Sequence, residues 1–274
     1  MPEISAKDVM ALRNKTGLSM MECKKALEAT SGDASAAEDH LRKLLKGKMD
    51  TRTERAAGEG RLAIAVDPSG RAATIVELRA ETDFTAKNEK FLEAVKKISE
   101  MALQGNAGAV TPTAEMTKMV DDIRITTGEN ASIARIHKLE GTGSTMFGQY
   151  VHHDGKKAAL LQMDGDVSQD MARSICMHIV SAVPAPKGIS ANDVPAHIVE
   201  KERKFRLEQA MESGKPKEIA EKMVEGGMRK FFEEIALLEQ PFVMDPTKKV
   251  REMLPKGASV TAFLRWQVGE EAGA

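Results

Sequence analysis

The sequence predicts an α+β chain with a small helical unit first, then a duplicated core in which each antiparallel sheet carries a helix, and a helical hairpin inserted late. Three observations predict it. Two Ser-x-x-acid helix starts and a Ser-Gly-Asp turn punctuate the first 46 residues. Gly70-Arg71-Ala72-Ala73-Thr74-Ile75-Val76 aligns with Gly155-Lys156-Lys157-Ala158-Ala159-Leu160-Leu161 at an offset of 85 residues. The stretch from Pro195 to about Leu238 is densely charged, helical in period and broken at Gly214-Lys215-Pro216.

Taken in order, Ser5 to Asp8 opens a helix carrying Val9 and Leu12, and Thr16-Gly17 ends it. Ser19 to Glu22 opens a second, with Cys23, Ala26 and Leu27 inward. After the turn at Ser31-Gly32-Asp33, a third carries Ala37, His40, Leu41 and Leu44. Such a unit has a thin core and needs a surface to lean on. Lys46 to Gly60 has no apolar period and reads as a linker or a loosely docked helix. Arg61 to Val66, the turn Asp67-Pro68-Ser69-Gly70 and a strand from Ala72 to Leu78 form a hairpin. A helix follows from about Asn88, with Phe91, Leu92, Val95, Ile98 and Met101 at helical spacing. Thr111-Pro112 starts another, carrying Met116, Met119, Val120 and Ile123, and Ile133, Ile136 and Leu139 suit a strand.

The second half repeats the plan: Phe147 to Val151, a turn at Asp154-Gly155, a strand from Lys157 to Met163 and a helix from about Ser168 to Val183. The hairpin arms carry Ile198 and Phe205 on one side and Ile219, Met223, Val224 and Phe231 on the other. Asp245-Pro246 is expected to open a short helix through Val250 and Leu254. Ser259 to Val268 alternates as a strand with Val260, Ala262, Leu264, Trp266 and Val268 on one face. The expected boundaries are a head at 1–46, a linker at 47–60, repeat one at 61–140 and repeat two at 141–274, the last holding the hairpin (about 195–238) and a C-terminal segment.

Composition narrows the function. Forty basic against 41 acidic residues leave a net charge of −1, which favours neither nucleic acid nor an anionic membrane as partner. No apolar run approaches the ~20 residues that span a bilayer, and no signal-peptide pattern precedes the first helix. Two distant cysteines, Cys23 and Cys176, read as reduced thiols in a cytoplasmic protein. Catalytic patterns are missing. There is no phosphate-binding P-loop, no complete dinucleotide fingerprint, no nucleophile elbow and no metal-ligand spacing. His152 and His153 adjoin a strand end, where successive side chains diverge, so they make a poor chelating pair. The sequence calls for no cofactor, no resident metal and no enzymatic activity.

One segment does ask for a function. Thr82-Asp83-Phe84-Thr85-Ala86-Lys87-Asn88 comes off the second strand and turns into a helix. Two readings are open from the residues: Asp83 caps the helix while Phe84 packs inward, or Phe84 stands exposed as a wedge. The second repeat has only Ser168-Gln169 at the equivalent place, which marks the corner as a site and not a requirement of the fold.

The segment resembles the signature of the translation elongation factor Ts family, close to TDFVAKN. Leu12-Arg13-Asn14-Lys15-Thr16-Gly17 through Lys24-Lys25-Ala26-Leu27 resembles that family's ubiquitin-associated-like head, and Lys215 to Gly226 its coiled-coil region. Two positions depart from the pattern: Arg79 stands where Asn is typical and Thr85 where Val is typical. The resemblance implies a guanine nucleotide exchange factor that binds elongation factor Tu, both GDP-bound and nucleotide-free, and releases GDP without covalent chemistry. It implies that Thr82, Asp83, Phe84 and Thr85 push beside the partner's magnesium site, and that Arg13, Met20 and Met21 form the head's contact. The alternative is a non-catalytic adaptor with the same type of head, for which the corner would be irrelevant.

Overall fold

The computed structural model describes residues 4–50, 55–142, 144–212, 214 and 216–270. Three helices open the chain: α1 (Ala6–Thr16), α2 (Met20–Ala29) and α3 (Ala34–Asp50). Ser5 caps α1 by accepting from the Asp8 amide, and Gly17 closes it in the left-handed region at φ 75°. Ser19 and Glu22 form a reciprocal capping box on α2. Val9, Leu12, Leu18, Cys23, Leu27, Ala37 and Leu41 make the head's core, while His40 and Leu44 point outward. The third helix continues to Asp50, beyond the expected head boundary at 46 and into the segment expected as linker; residues 51–54 lie outside the described residues.

The head leans on the core, as so small a unit must. Its support is the helix Ala114–Thr127, through Ile125 in the head cluster, Thr126 Oγ1 donating to the Thr16 carbonyl at 3.2 Å, and an Arg42–Asp122 ion pair at 2.7 Å.

Repeat one follows as β1 (Glu59–Val66), β2 (Ala72–Ala80), a single turn α4 (Asp83–Ala86), α5 (Glu89–Ala102), β3 (Gly108–Ala109), α6 (Ala114–Thr127) and β4 (Ala131–Glu140). Its sheet runs β1-β2-β4-β3, antiparallel throughout. Repeat two has β5 (Thr145–Val151), β6 (Lys157–Asp164) and α7 (Gln169–Ser181), then the hairpin α8 (Ala196–Glu212) and α9 (Lys217–Ile235). A two-stranded ribbon, β7 (Pro241–Phe242) with β8 (Asp245–Lys249), comes next, then α10 (Val250–Met253) and β9 (Ser259–Gln267). Its sheet runs β5-β6-β9. Among the described residues no helix is long and apolar enough to cross a membrane.

The duplication reaches into hydrogen-bond register. Ala63 pairs with Val76, and Gly148 with Leu161, each 85 residues later. The third strand of each sheet slips by one residue at the same place, between Glu77 and Leu78 in one repeat and between Gln162 and Met163 in the other. Each central strand is buried on both faces. Val76 and Leu78 face α5 and α6, as Leu161 and Met163 face α7. Ala73 and Ile75 meet Ala158, Leu160, Phe147 and Trp266 in one cluster between the two sheets. The molecule is therefore layered helix, sheet, sheet, helix, and each repeat covers the other's open face.

Two expectations are corrected. β9 does not keep one apolar face: Val260 and Phe263 join the helix-side cluster, whereas Leu264, Trp266 and Val268 face the other sheet. The bulge opposite Gln162 and Met163 adds a residue, and one added residue reverses every later side chain. Asp245-Pro246 opens no helix; it begins strand β8, and proline is tolerated there because both strands of a two-stranded ribbon are edges.

Candidate functional site

The corner begins where β2 ends. Thr82 is extended (φ −122°, ψ 157°) and caps α4, its Oγ1 accepting from the Thr85 amide at 3.3 Å. The cap is therefore Thr82 and not Asp83. Asp83 instead pairs with Lys87 one turn on, at 2.5 Å, and that hydrogen bond holds its carboxyl below the usual carboxylate range. Asn88 then caps α5 through its Oδ1, which accepts from the Lys90 amide at 2.9 Å. Two caps within seven residues pin both ends of one helical turn.

That turn has two faces. Thr85 and Ala86 are buried beneath it. Phe84 points the other way and is 83% exposed, the most exposed aromatic side chain among the described residues. An inward Phe would have stabilised the fold by about 1.5–3 kcal/mol, so its exposure is a cost that folding does not recover. Of the two readings the residues left open, the structure takes the exposed one.

Beside Phe84 lies an open concavity made by both repeats. Arg61, Asp83, Lys87 and Leu92 line it from repeat one, and Val151, His152, His153 and Lys156 from repeat two. Gly155 holds the turn of repeat two against β1: its carbonyl accepts from the Leu62 amide at 2.9 Å, and a Cβ there would strike Arg61 at 2.4 Å. Its φ of 68° also favours glycine. His152 and His153 do not diverge as a strand would make them. They follow the end of β5, in the turn, and their rings pack at 4.2 Å, with His152 Nδ1 3.1 Å from Asp154. Among the described residues no cluster of three or more His, Cys, Asp or Glu is arranged for a metal ion.

The departure at Arg79 has a structural use. Its guanidinium reaches the fully buried Glu77 at 2.7 Å and the Glu270 carbonyl at 2.9 Å. Arg135 meets the other Glu77 oxygen at 2.6 Å and stacks on Trp266 at 4.3 Å, and the Gly269 amide donates to Glu77 at 3.0 Å. The buried carboxylate is thus fully partnered, and the cluster ties the C-terminal segment of repeat two to the strand that delivers the corner.

On the head, Arg13, Met20 and Met21 are exposed, Met21 at 64%. The head meets the core through Thr16, Leu18 and Arg42, which leaves those three side chains on a surface of its own. Sequence reasoning missed Glu129. Both of its carboxylate oxygens bond Thr82, but it sits 47 residues away with no local pattern to mark it.

The family model described as Elongation factor TS matches residues 81–270, starting at the corner itself. The elongation factor Ts of Idiomarina loihiensis is 42% identical over 277 residues, covering 97% of this chain and 91% of that protein. The elongation factor Ts of Hyphomonas neptunium is 38% identical over 285 residues, covering 98% and 93%. The chain belongs to the elongation factor Ts family. Elongation factor Ts is the nucleotide exchange factor for elongation factor Tu in translation elongation, and the chain is accordingly an exchange factor and not a catalytic enzyme.

Proposed function

We propose that Phe84 is the wedge with which this exchange factor displaces GDP from elongation factor Tu. The observation that carries the reading is a single exposed Phe on a helical turn pinned at both ends, built from residues that the sister repeat lacks. Magnesium demands near-ideal octahedral coordination and bridges phosphate to protein, so an ångström of movement in its supporting elements weakens both metal and GDP. Phe84 enters beside that site in the partner. Asp83, restrained by Lys87, presents a carboxylate next to the ring, and Thr82 and Thr85 anchor the turn from below. Arg13, Met20 and Met21 supply a second grip from the head, which we take to be a separable contact unit. The factor binds the partner both GDP-bound and nucleotide-free, prefers the latter, and works in the cytoplasm without nucleic acid or membrane as a partner.

The reciprocity of linkage sets the scale: the factor by which the protein loosens GDP equals the factor by which GDP loosens the protein. A ~10⁴-fold coupling corresponds to ~5.5 kcal/mol, more than one ring supplies, so head, corner and concavity act together. The test is release of fluorescent GDP from a cognate elongation factor Tu. Phe84→Ala should slow it at least ~10-fold, about 1.4 kcal/mol, with an unchanged melting temperature. Full activity in a folded variant would remove the wedge.

A further inference from the structure

We propose that Glu129 is the positioning residue of the Phe84 corner, its carboxylate fixing where the wedge stands. The proposal rests on the reading of Phe84 given above. A four-residue turn such as α4 has no helical stability of its own, because nucleation costs more than so few hydrogen bonds return. Something outside the turn must hold it. Thr82 is the point of attachment: its hydroxyl already accepts from the Thr85 amide, so its proton and its backbone N–H both need acceptors. Glu129 supplies both, Oε1 accepting from Thr82 Oγ1 at 2.8 Å and Oε2 from the Thr82 amide at 3.1 Å. One carboxylate thereby sets a backbone position and a side-chain rotamer together.

Glu129 is itself held. Gly128 ends α6 in the left-handed region at φ 72°, its amide donating to the Arg124 carbonyl, and the Glu129 amide donates to Thr127 Oγ1 at 3.2 Å. The link is doubled in the opposite sense, since Glu81, on the corner side, accepts from the Asn130 amide at 2.6 Å. Adjacent residues of the corner and of the α6–β4 turn are therefore cross-tied, carboxylate to backbone in each direction. Among the described residues no cation pairs with Glu129, so its charge serves Thr82 and not a salt bridge. The same α6 carries the head, through Asp122 and Thr126, so head and wedge are mounted on one helix.

A double-mutant cycle on GDP release decides the matter. Glu129→Ala should slow release about fivefold or more at saturating factor, with less effect on the half-saturating concentration. Acting through the ring, it should do nothing further in a Phe84→Ala background. Glu129→Gln, which keeps one acceptor for the Thr82 amide but turns a donor toward the hydroxyl, should restore the activity in part, leaving it between Glu129→Ala and the wild type. Hydrogen exchange at the Thr82 amide should quicken in Glu129→Ala while the melting temperature holds. An equal loss in both backgrounds would place Glu129 elsewhere and overturn the proposal with the wedge intact, and unchanged exchange in Glu129→Ala would overturn it directly. An inert Phe84→Ala would instead remove the wedge reading and the positioning role with it. If Glu129→Ala proves unfolded, the cycle is run with Thr82→Val, which leaves Glu129 bonded to the Thr82 amide but removes both the hydroxyl link to Glu129 and the cap on the Thr85 amide; additivity with Phe84→Ala there overturns the proposal equally.

Discussion

The two strand-to-helix junctions of this molecule start from equivalent strands and end on equivalent helices, yet only one holds an aromatic ring out in solvent. β2 and β6 agree in register, in bulge and in which side chains face helix or sheet. The helices they feed also agree: Phe91, Ala94, Val95, Ile98 and Ser99 are buried in one, and Ala172, Ile175, Cys176, Ile179 and Val180 in the other, at the same 3,1,3,1 spacing. Between strand and helix, repeat one uses Glu81–Asn88 and repeat two only Gly165–Ser168. The four extra residues are one helical turn, and that turn lifts Phe84 into solvent. Since repeat two reaches its helix without them, the fold does not require the turn, and the exposed ring is a cost that folding alone does not explain.

The comparison can be pressed first where it claims that the repeats share a core. Ile75 and Leu160 are equivalent positions, both fully buried in the cluster between the sheets. Truncation of either to Ala should cost about 2–5 kcal/mol in a denaturant titration, the usual range for emptying a buried aliphatic site. The double variant should depart from additivity by ~0.5–3 kcal/mol because one cavity serves both. Strict additivity would mean that the two sheets do not share a packed interface.

A smaller effect is expected from making the junctions alike. Replacing Glu81–Asn88 with the sequence of Gly165–Ser168 removes the turn, its caps and the ring at once. Release of GDP from elongation factor Tu should fall roughly 100-fold, about 2.7 kcal/mol in the transition state. The far-ultraviolet circular dichroism spectrum should stay native, because the second repeat already folds with that junction. Retained exchange in a folded chimera would show that contact lies elsewhere.

Much of this was legible in the sequence, for reasons that are local. Ser5, Ser19 and Ser168 cap helices by accepting from amides three residues on, so the signal and the structure share one short window. The repeat was legible because both central strands are buried on two faces, which forces similar apolar runs. What escaped was set by distant partners. The bulge that turns β9 over is decided by its pairing with β6, and β9 carries no mark of it. The pattern around Phe84 fitted an inward ring as well as an outward one; the choice is made by Thr85 and Ala86 filling the space beneath and by Glu129 holding the cap. The end of the strand at Val151 was legible; His152 and His153 stack because they lie past it, in the turn, where the alternation of a strand no longer applies.

The smallest expected effect comes from a difference between the equivalent helices. Aligned on their buried faces, the position that is exposed Lys97 in α5 is fully buried His178 in α7. Its ring is hydrogen-bonded at both nitrogens. The Val243 amide donates to Nδ1 at 3.2 Å, so the proton sits on Nε2 and is donated to Gln240 Oε1 at 3.0 Å. Gln240 is oriented for this, its amide nitrogen donating to the carbonyls of Pro184 and Glu234. Burial opposes a charge here and lowers the His178 pKa below its ordinary 6.5, with the Gln240 bond opposing in part; His137 is lowered by burial as well. The unfolded chain therefore takes up protons between pH 6.5 and the lower folded value while the native state does not. Stability is complete above 6.5, erodes as the pH falls below it, and is fully lost from these groups beneath the folded pKa, at no more than about 1.4 kcal/mol per pH unit per proton. Thermal melts from pH 8 to 5 should show that slope, and His178→Gln should flatten it even if it lowers the plateau. Protonation also removes the acceptor for Val243, so the protection factor of that amide, corrected for the intrinsic pH dependence of exchange, should fall on acidification as the β7–β8 ribbon loosens. A melting temperature flat from pH 8 to 5 would show that His178 is not held neutral by the fold.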